Sequence, residues 1–267
     1  MSPGEIVARA KAAGMDGLAL TDHQSARNTP AIAECAKRAG IACLFGMEVQ
    51  TAEEVHTVAL FDTVEQALAL TDWVYDAMPK RVNDPETFGD QPVVTWDDDI
   101  VDLEWRILAM GCRRTIPETA AKVHELGGLY LAAHIDRPNF SVLSALGSIP
   151  EPPLCAEPPC GDTSSIVRRA TREDPSSIVR RATREASPYF DAVELSRTAD
   201  AAEWLPRAAG YAVTRSSDAH NLDDVARVWT EADLRNERGE PEFSVAALRA
   251  AFAAKATTLS PKLAGFF

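Results

Sequence analysis

Residues 17–23 read GLALTDH, a short apolar run that stops on an acid and an imidazole. Four to eight apolar residues bounded by turn signals are the mark of a buried strand. Upstream, Ser2-Pro3-Gly4-Glu5 is a capping box with proline at the first helical position. A helix follows in which Ile6, Val7, Ala10 and Ala13 share one face and Gly14 closes the end. Downstream, a helix over residues 29–39, ended by Gly40, leads to a strand at 41–45 that runs into Gly46-Met47-Glu48. Residues 55–61 read as the next strand, with His56 near its start, and 64–78 as a helix. The polar segment 79–99 reads as a long loop, and helical character returns over 100–110 and 117–126. Strands are expected at 129–133, ending in His134, at 190–195, and at 211–215, the last leading into Ser216-Ser217-Asp218-Ala219-His220. Alternating strands and helices predict a parallel sheet, open or closed into a barrel, with ligands gathered beyond the carboxyl ends of the strands.

The chain has 267 residues, 46% of them apolar, and 1–267 is expected to form a single domain. No apolar run has the length of a membrane span, so no membrane partner is expected. The first residues, polar and apolar in helical alternation, do not form a signal peptide. Five scattered cysteines fit a reduced, cytoplasmic protein better than a disulfide framework. The formal net charge of −13 argues against a surface that grips long nucleic acid and leaves a small phosphorylated substrate, whose charge bound cations would balance. Nothing in the sequence sets an oligomeric state. Residues 150–189 stand apart: a proline-rich stretch precedes SSIVRRATRE at 164–173, which recurs word for word at 176–185. Two short copies are too few for a solenoid; an inserted surface region with a local tandem duplication is expected, without chemistry.

The residues that could carry chemistry are Asp22, His23, Glu48, His56, His134, Asp218 and His220. Each has an innocent reading alone: Asp22 as a turn cap, Glu48 as a solvated acid, a histidine as a hydrogen-bonded loop residue. Together they include four of the five histidines, placed at or near successive strand ends. The fifth, His124, falls in an expected helix. Imidazole mixed with carboxylate suits zinc, manganese or iron, and a carboxylate can bridge two such ions. In Asp218-Ala219-His220 both polar side chains of an extended segment can point the same way.

GLALTDH at 17–23, GME at 46–48, EVH at 54–56, AHIDRP at 133–138 and SDAH at 217–220 resemble, in that order, the motifs of the PHP (polymerase and histidinol phosphatase) family. The resemblance implies a distorted (β/α)7 barrel of the TIM type and hydrolysis of phosphoesters with two or three divalent ions (Zn, Mn or Fe) per chain. It implies that Glu48 bridges two ions, that His56 and His134 complete one of them, and that Asp218 serves the other. His23 and His220 would serve a third, and Asp22 would orient an imidazole. The catalytic residues implied are Glu48 and Asp218; Arg137, three residues past His134, is expected as a phosphate clamp, with Arg197 as the second choice, and either could equally be a surface arginine. The family pattern opens with a strand carrying His-x-His, which has no counterpart here. A native chain extending upstream of Met1 is therefore expected, with a truncated, impaired form as the alternative. The expected activity is hydrolysis of a small phosphorylated substrate such as a nucleotide. A non-catalytic metal-binding scaffold and a nuclease acting on short oligonucleotides are the competing readings.

Overall fold

In the computed structural model, Ser2 caps the first helix, α1 (Pro3–Ala12), by the reciprocal bonds of a capping box with Glu5. The structure describes residues 1–151, 188–208 and 210–263. Met1–Ile149 and Phe190–Phe267 form one unit and Pro150–Tyr189 a separate one. The repeated decapeptide, Cys155 and Cys160 lie outside the described residues.

Six strands of the larger unit make one sheet: β1 (Gly17–Leu20), β2 (Ala42–Gln50), β3 (His56–Phe61), β6 (Leu129–Ala132), β7 (Ala192–Leu195) and β8 (Ala212–Arg215), in that spatial order. Two two-stranded sheets sit outside it: a hairpin of β4 (Pro92–Val94) with β5 (Ile100–Leu103), and a pair of β9 (Thr230–Glu231) with β10 (Thr258–Leu259). The principal helices are α2 (Thr29–Ala39), α3 (Val64–Tyr75), α5 (Ile116–Glu125) and α8 (Val245–Ala253), with short turns α4 (Pro85–Phe88), α6 (Val142–Leu146) and α7 (Ala201–Trp204) between them. The fold is thus mixed α/β with a curled, half-barrel sheet. The segments that follow its two edge strands, β1 and β8, carry His23 and His220, with ring centroids 6.2 Å apart.

Two expectations need correction. The sheet is not all parallel: β3 runs antiparallel to both neighbours, β2 and β6, while the remaining pairs are parallel. Only the five residues from Thr51 to Val55 link β2 to β3, too few for a parallel crossover. The expected helix at 100–110 is absent; Ile100–Leu103 is a strand of the hairpin. That hairpin is anchored by Arg27, which pairs with Asp102 and with the buried Glu104.

Side-chain alternation divides the sheet. Leu44, Val58, Leu60, Leu129, Leu131, Ala192 and Ala212 pack on one face with Phe243, Leu248 and Phe252 of the α8 region. Stepping by two along the same strands brings Glu48, His56, Glu194 and Thr214 to this face at its other end. The face is dry at one end and polar at the other, and the polar end is where the chemistry-bearing residues meet. Between Leu44 and Glu48 stands Gly46, where a β-carbon would lie 1.9 Å from the carbonyl oxygen of Ala59. Backbone cannot yield as a flexible side chain would. Gly46→Ala should therefore cost at least the roughly 1–3 kcal/mol of an overpacked core, seen as a lower urea midpoint with an unchanged slope.

Candidate metal centre

Glu48 lies near the end of β2 but still within it, buried at 8% exposure. The parallel bridge that continues β1 past Leu20 brings His23 opposite Glu48. His56 opens β3 instead of ending it, and reaches the same rim because that strand is reversed; Gln50 is its register partner across the pair. His134 follows β6, and its φ of 29° breaks the alternation that would have put Ala133 on this face. A left-handed backbone at a residue that is not glycine is uncommon and points to a functional constraint.

The three imidazoles converge on one carboxylate. His23 Nδ1 lies 3.0 Å from Glu48 Oε2, while His56 Nδ1 and His134 Nε2 lie 3.2 Å and 3.3 Å from Oε1. The His23 and His134 rings each have their centroid 5.3 Å from that of His56. Ligand atoms of His23, Glu48 and His56 all lie within 4.8 Å of one another. Burial alone would raise the Glu48 pKa, but hydrogen bonds from His134 and His56 outweigh it and hold the carboxyl well below its usual range. His134 is pushed up by Glu48 against the opposing effect of its own burial, whereas burial dominates at His23 and lowers it. The buried Nδ1 of His134 has no hydrogen-bond partner. A carboxylate that faces imidazole nitrogens on both oxygens, with ligand atoms this close together, fits a divalent-ion site.

Beyond β8, Asp218 has a φ of 44° and its carboxylate takes Arg137 Nη2 at 2.5 Å. His220 sits further out: its Nδ1 meets the Asp218 carbonyl oxygen at 3.0 Å, and its ring approaches His23. Arg197, the second choice for a phosphate clamp, is engaged by Asp224 at 2.7 Å. The Asp22 carboxylate accepts from Asn28 Nδ2 at 3.4 Å, and burial raises its pKa. His124 lies away from the cluster, 2.9 Å from Asp191.

Glu194 of β7 went unnoticed in the sequence. Burial pushes its carboxyl up to about 7, and His134, Asp218 and Glu48 all act on it electrostatically. The signal was present: one acid inside an otherwise apolar strand, Ala192–Leu195, is seldom buried without a reason.

Residues 1–137 match the profile of the PHP domain. No curated protein matches the chain in sequence. Among solved structures it is similar to the lesion-specific endonuclease PfuEndoQ from Pyrococcus furiosus, with 16% identity and a TM-score of 0.54, covering 97% of this chain and 53% of that one. It is also similar to an Endonuclease Q in complex with a 27-mer duplex bearing an abasic lesion, with 15% identity and a TM-score of 0.51, covering 95% and 52%. The chain thus spans about half the length of these proteins, and at such identities the likeness is one of fold. The duplex complex overturns the expectation that long nucleic acid is no partner. That expectation rested on a net charge of −13 summed over the whole chain, and a summed charge does not give the local potential at a site.

The acid limb of stability should report the cluster directly. A carboxyl whose folded pKa is depressed contributes stability that is present above its unfolded value and fades as pH falls through the folded one. In chelator, the native chain should be more stable than Glu48→Gln near pH 6, and the gap should close as pH drops below the ordinary 4.5 of a glutamate. A gap that stays constant across that range, followed by thermal unfolding, would show that Glu48 is not ionised among the imidazoles.

Proposed function

The chain belongs to the PHP domain family, and on that premise we propose that it is a metal-dependent phosphoester hydrolase whose substrate is a phosphodiester in a nucleic-acid strand. The observation that carries the hydrolase reading is Glu48, buried and faced by His23, His56 and His134 at the polar end of the sheet. One fold-sharing endonuclease is described as lesion-specific and the other is seen with a 27-mer duplex substrate at its active site, and this supports a nucleic-acid strand as the substrate.

His56 and His134, which share Glu48 Oε1, would hold one ion with that oxygen, and His23 on the Oε2 side would serve another. When bound, divalent ions supply Lewis-acid charge for the phosphoryl oxygens and acidify water. Glu48 keeps the imidazoles gathered, so that little reorganisation remains for binding. Asp218 holds the Arg137 guanidinium beside the cluster, and a guanidinium there can donate two parallel hydrogen bonds to a phosphate. Glu194, with its carboxyl near neutrality, is a proton-holding group under this floor. One arginine and bound cations bring local positive charge to a chain that is acidic as a whole, so a strand can be held at its reacting phosphate without a long basic groove.

The test is cleavage of end-labelled single-stranded and duplex oligonucleotides, with and without an abasic site, in Mn²⁺, Zn²⁺ or Fe²⁺, alongside elemental analysis. Cleavage should require metal and stop in chelator. Glu48→Gln should lower metal content and reduce kcat/KM by more than the roughly 10–100-fold cost of losing a mere supporting partner of a metal site. Metal binding with no cleavage of any oligonucleotide would sink the nuclease reading and favour a metal-binding scaffold.

A further inference from the structure

The residues after His134 make a small cavity of about 240 Å³ lined by His56, His134, Arg137, Pro138, Asn139 and Phe140. Its wall includes two members of the metal centre, and the remainder is one short loop. The Ser141 hydroxyl donates to the Arg137 carbonyl oxygen at 2.7 Å and also caps α6, which fixes the loop at both ends.

Phe140 is the residue that chemistry alone does not explain. It has a φ of 57°, and a bulky aromatic in that region is an outlier that persists only where its surroundings impose it. The imposing contact is the N–H of His56, which donates to the Phe140 carbonyl oxygen at 2.8 Å. The ring then lies almost flat on His56, with centroids 4.7 Å apart and planes 12° from parallel. Yet Phe140 remains 44% exposed. One side of the ring covers the imidazole while much of the rest meets solvent at the mouth of the site. Covering His56 needs no aromatic ring; an aliphatic side chain would exclude water as well.

We propose that this cavity is a nucleobase subsite, in which Phe140 stacks on the base next to the reacting phosphate, Asn139 addresses the base edge and Arg137 receives the phosphate. A planar ring offers every base a π-face, a carboxamide offers both a donor and an acceptor, and a guanidinium matches phosphate. The volume lies just under the roughly 300–1,000 Å³ of drug-sized pockets, which suits a single ring system and not a longer group. The subsite rests on the phosphodiester reading above, and its test is chosen to fail separately from it.

The full chain in Mn²⁺ is titrated with 2-aminopurine riboside 5′-monophosphate by fluorescence, and ribose 5-phosphate competes for the same site. The native chain should bind the nucleotide roughly 5- to 150-fold tighter than the sugar phosphate, the range expected of one stacked base, and quench its emission. Phe140→Asn, which suits a positive φ, should abolish that preference and leave ribose 5-phosphate affinity unchanged. Phe140→Trp should keep it. Equal affinity for the two probes, no binding of the nucleotide, a preference that survives Phe140→Asn, or a parallel loss of both affinities would each overturn the subsite. A base preference in a protein that cuts no oligonucleotide would keep the subsite and sink the nuclease; cleavage without base preference would do the reverse.

Discussion

Glu48 is a charge taken out of water, and the polar end of the molecule is arranged around that fact. An ionised carboxylate at 8% exposure is tolerable only where donors replace its solvation. Here the donors are imidazoles brought from the end of β1, the start of β3 and the end of β6. Each reaches Glu48 by a different backbone device: a bridge continuing past a strand, a reversed strand, and a left-handed residue. Asp218 and Arg137 then pair with one another at the same rim. Remove the carboxylate and these devices have nothing in common to point at.

The sheet supports this by dividing its labour along its length. At one end its inner face is aliphatic and closed by Phe243 and α8, which supplies the apolar burial that can carry a polar cluster at the other end. A close backbone approach at Gly46, midway along β2, sets the spacing of β2 against β3 just before Glu48. Fold stability and site geometry therefore meet in the same strand pair.

Much of this was legible in the sequence because burial and alternation write themselves into residue types. The capping box of α1, the apolar runs of β1 and β6, and the glycine stop of α2 all appear where local chemistry places them. The motif residues His23, Glu48, His56 and His134 were readable as a group, and they do come together. Strand direction was not readable: residues 55–61 look the same in either sense, so the reversal of β3 emerges only from its short link to β2. Residues 100–110 space their apolar side chains in a way that serves a helix or a hairpin, and pairing with Pro92–Val94 decided for the hairpin. Glu194 was hidden because it lies within a strand, where a search along strand ends does not look. The positive φ values of His134 and Phe140 were not readable either, since neither is a glycine.

The reversal of β3 also bears on how the chain reaches this state. Had β3 been parallel, its imidazole could join Glu48 only after a long crossover had closed. As a hairpin, β2 and β3 place Glu48 and His56 eight positions apart in sequence. Hairpins close in roughly 1–10 μs, and local contacts form before the entropy of distant loop closure has to be met. Half of the cluster therefore belongs to the earliest structure the chain can make. His134 and Asp218, 86 and 170 positions beyond Glu48, belong to the last, so a nascent chain holds its carboxylate and the His56 imidazole together long before the rim is complete.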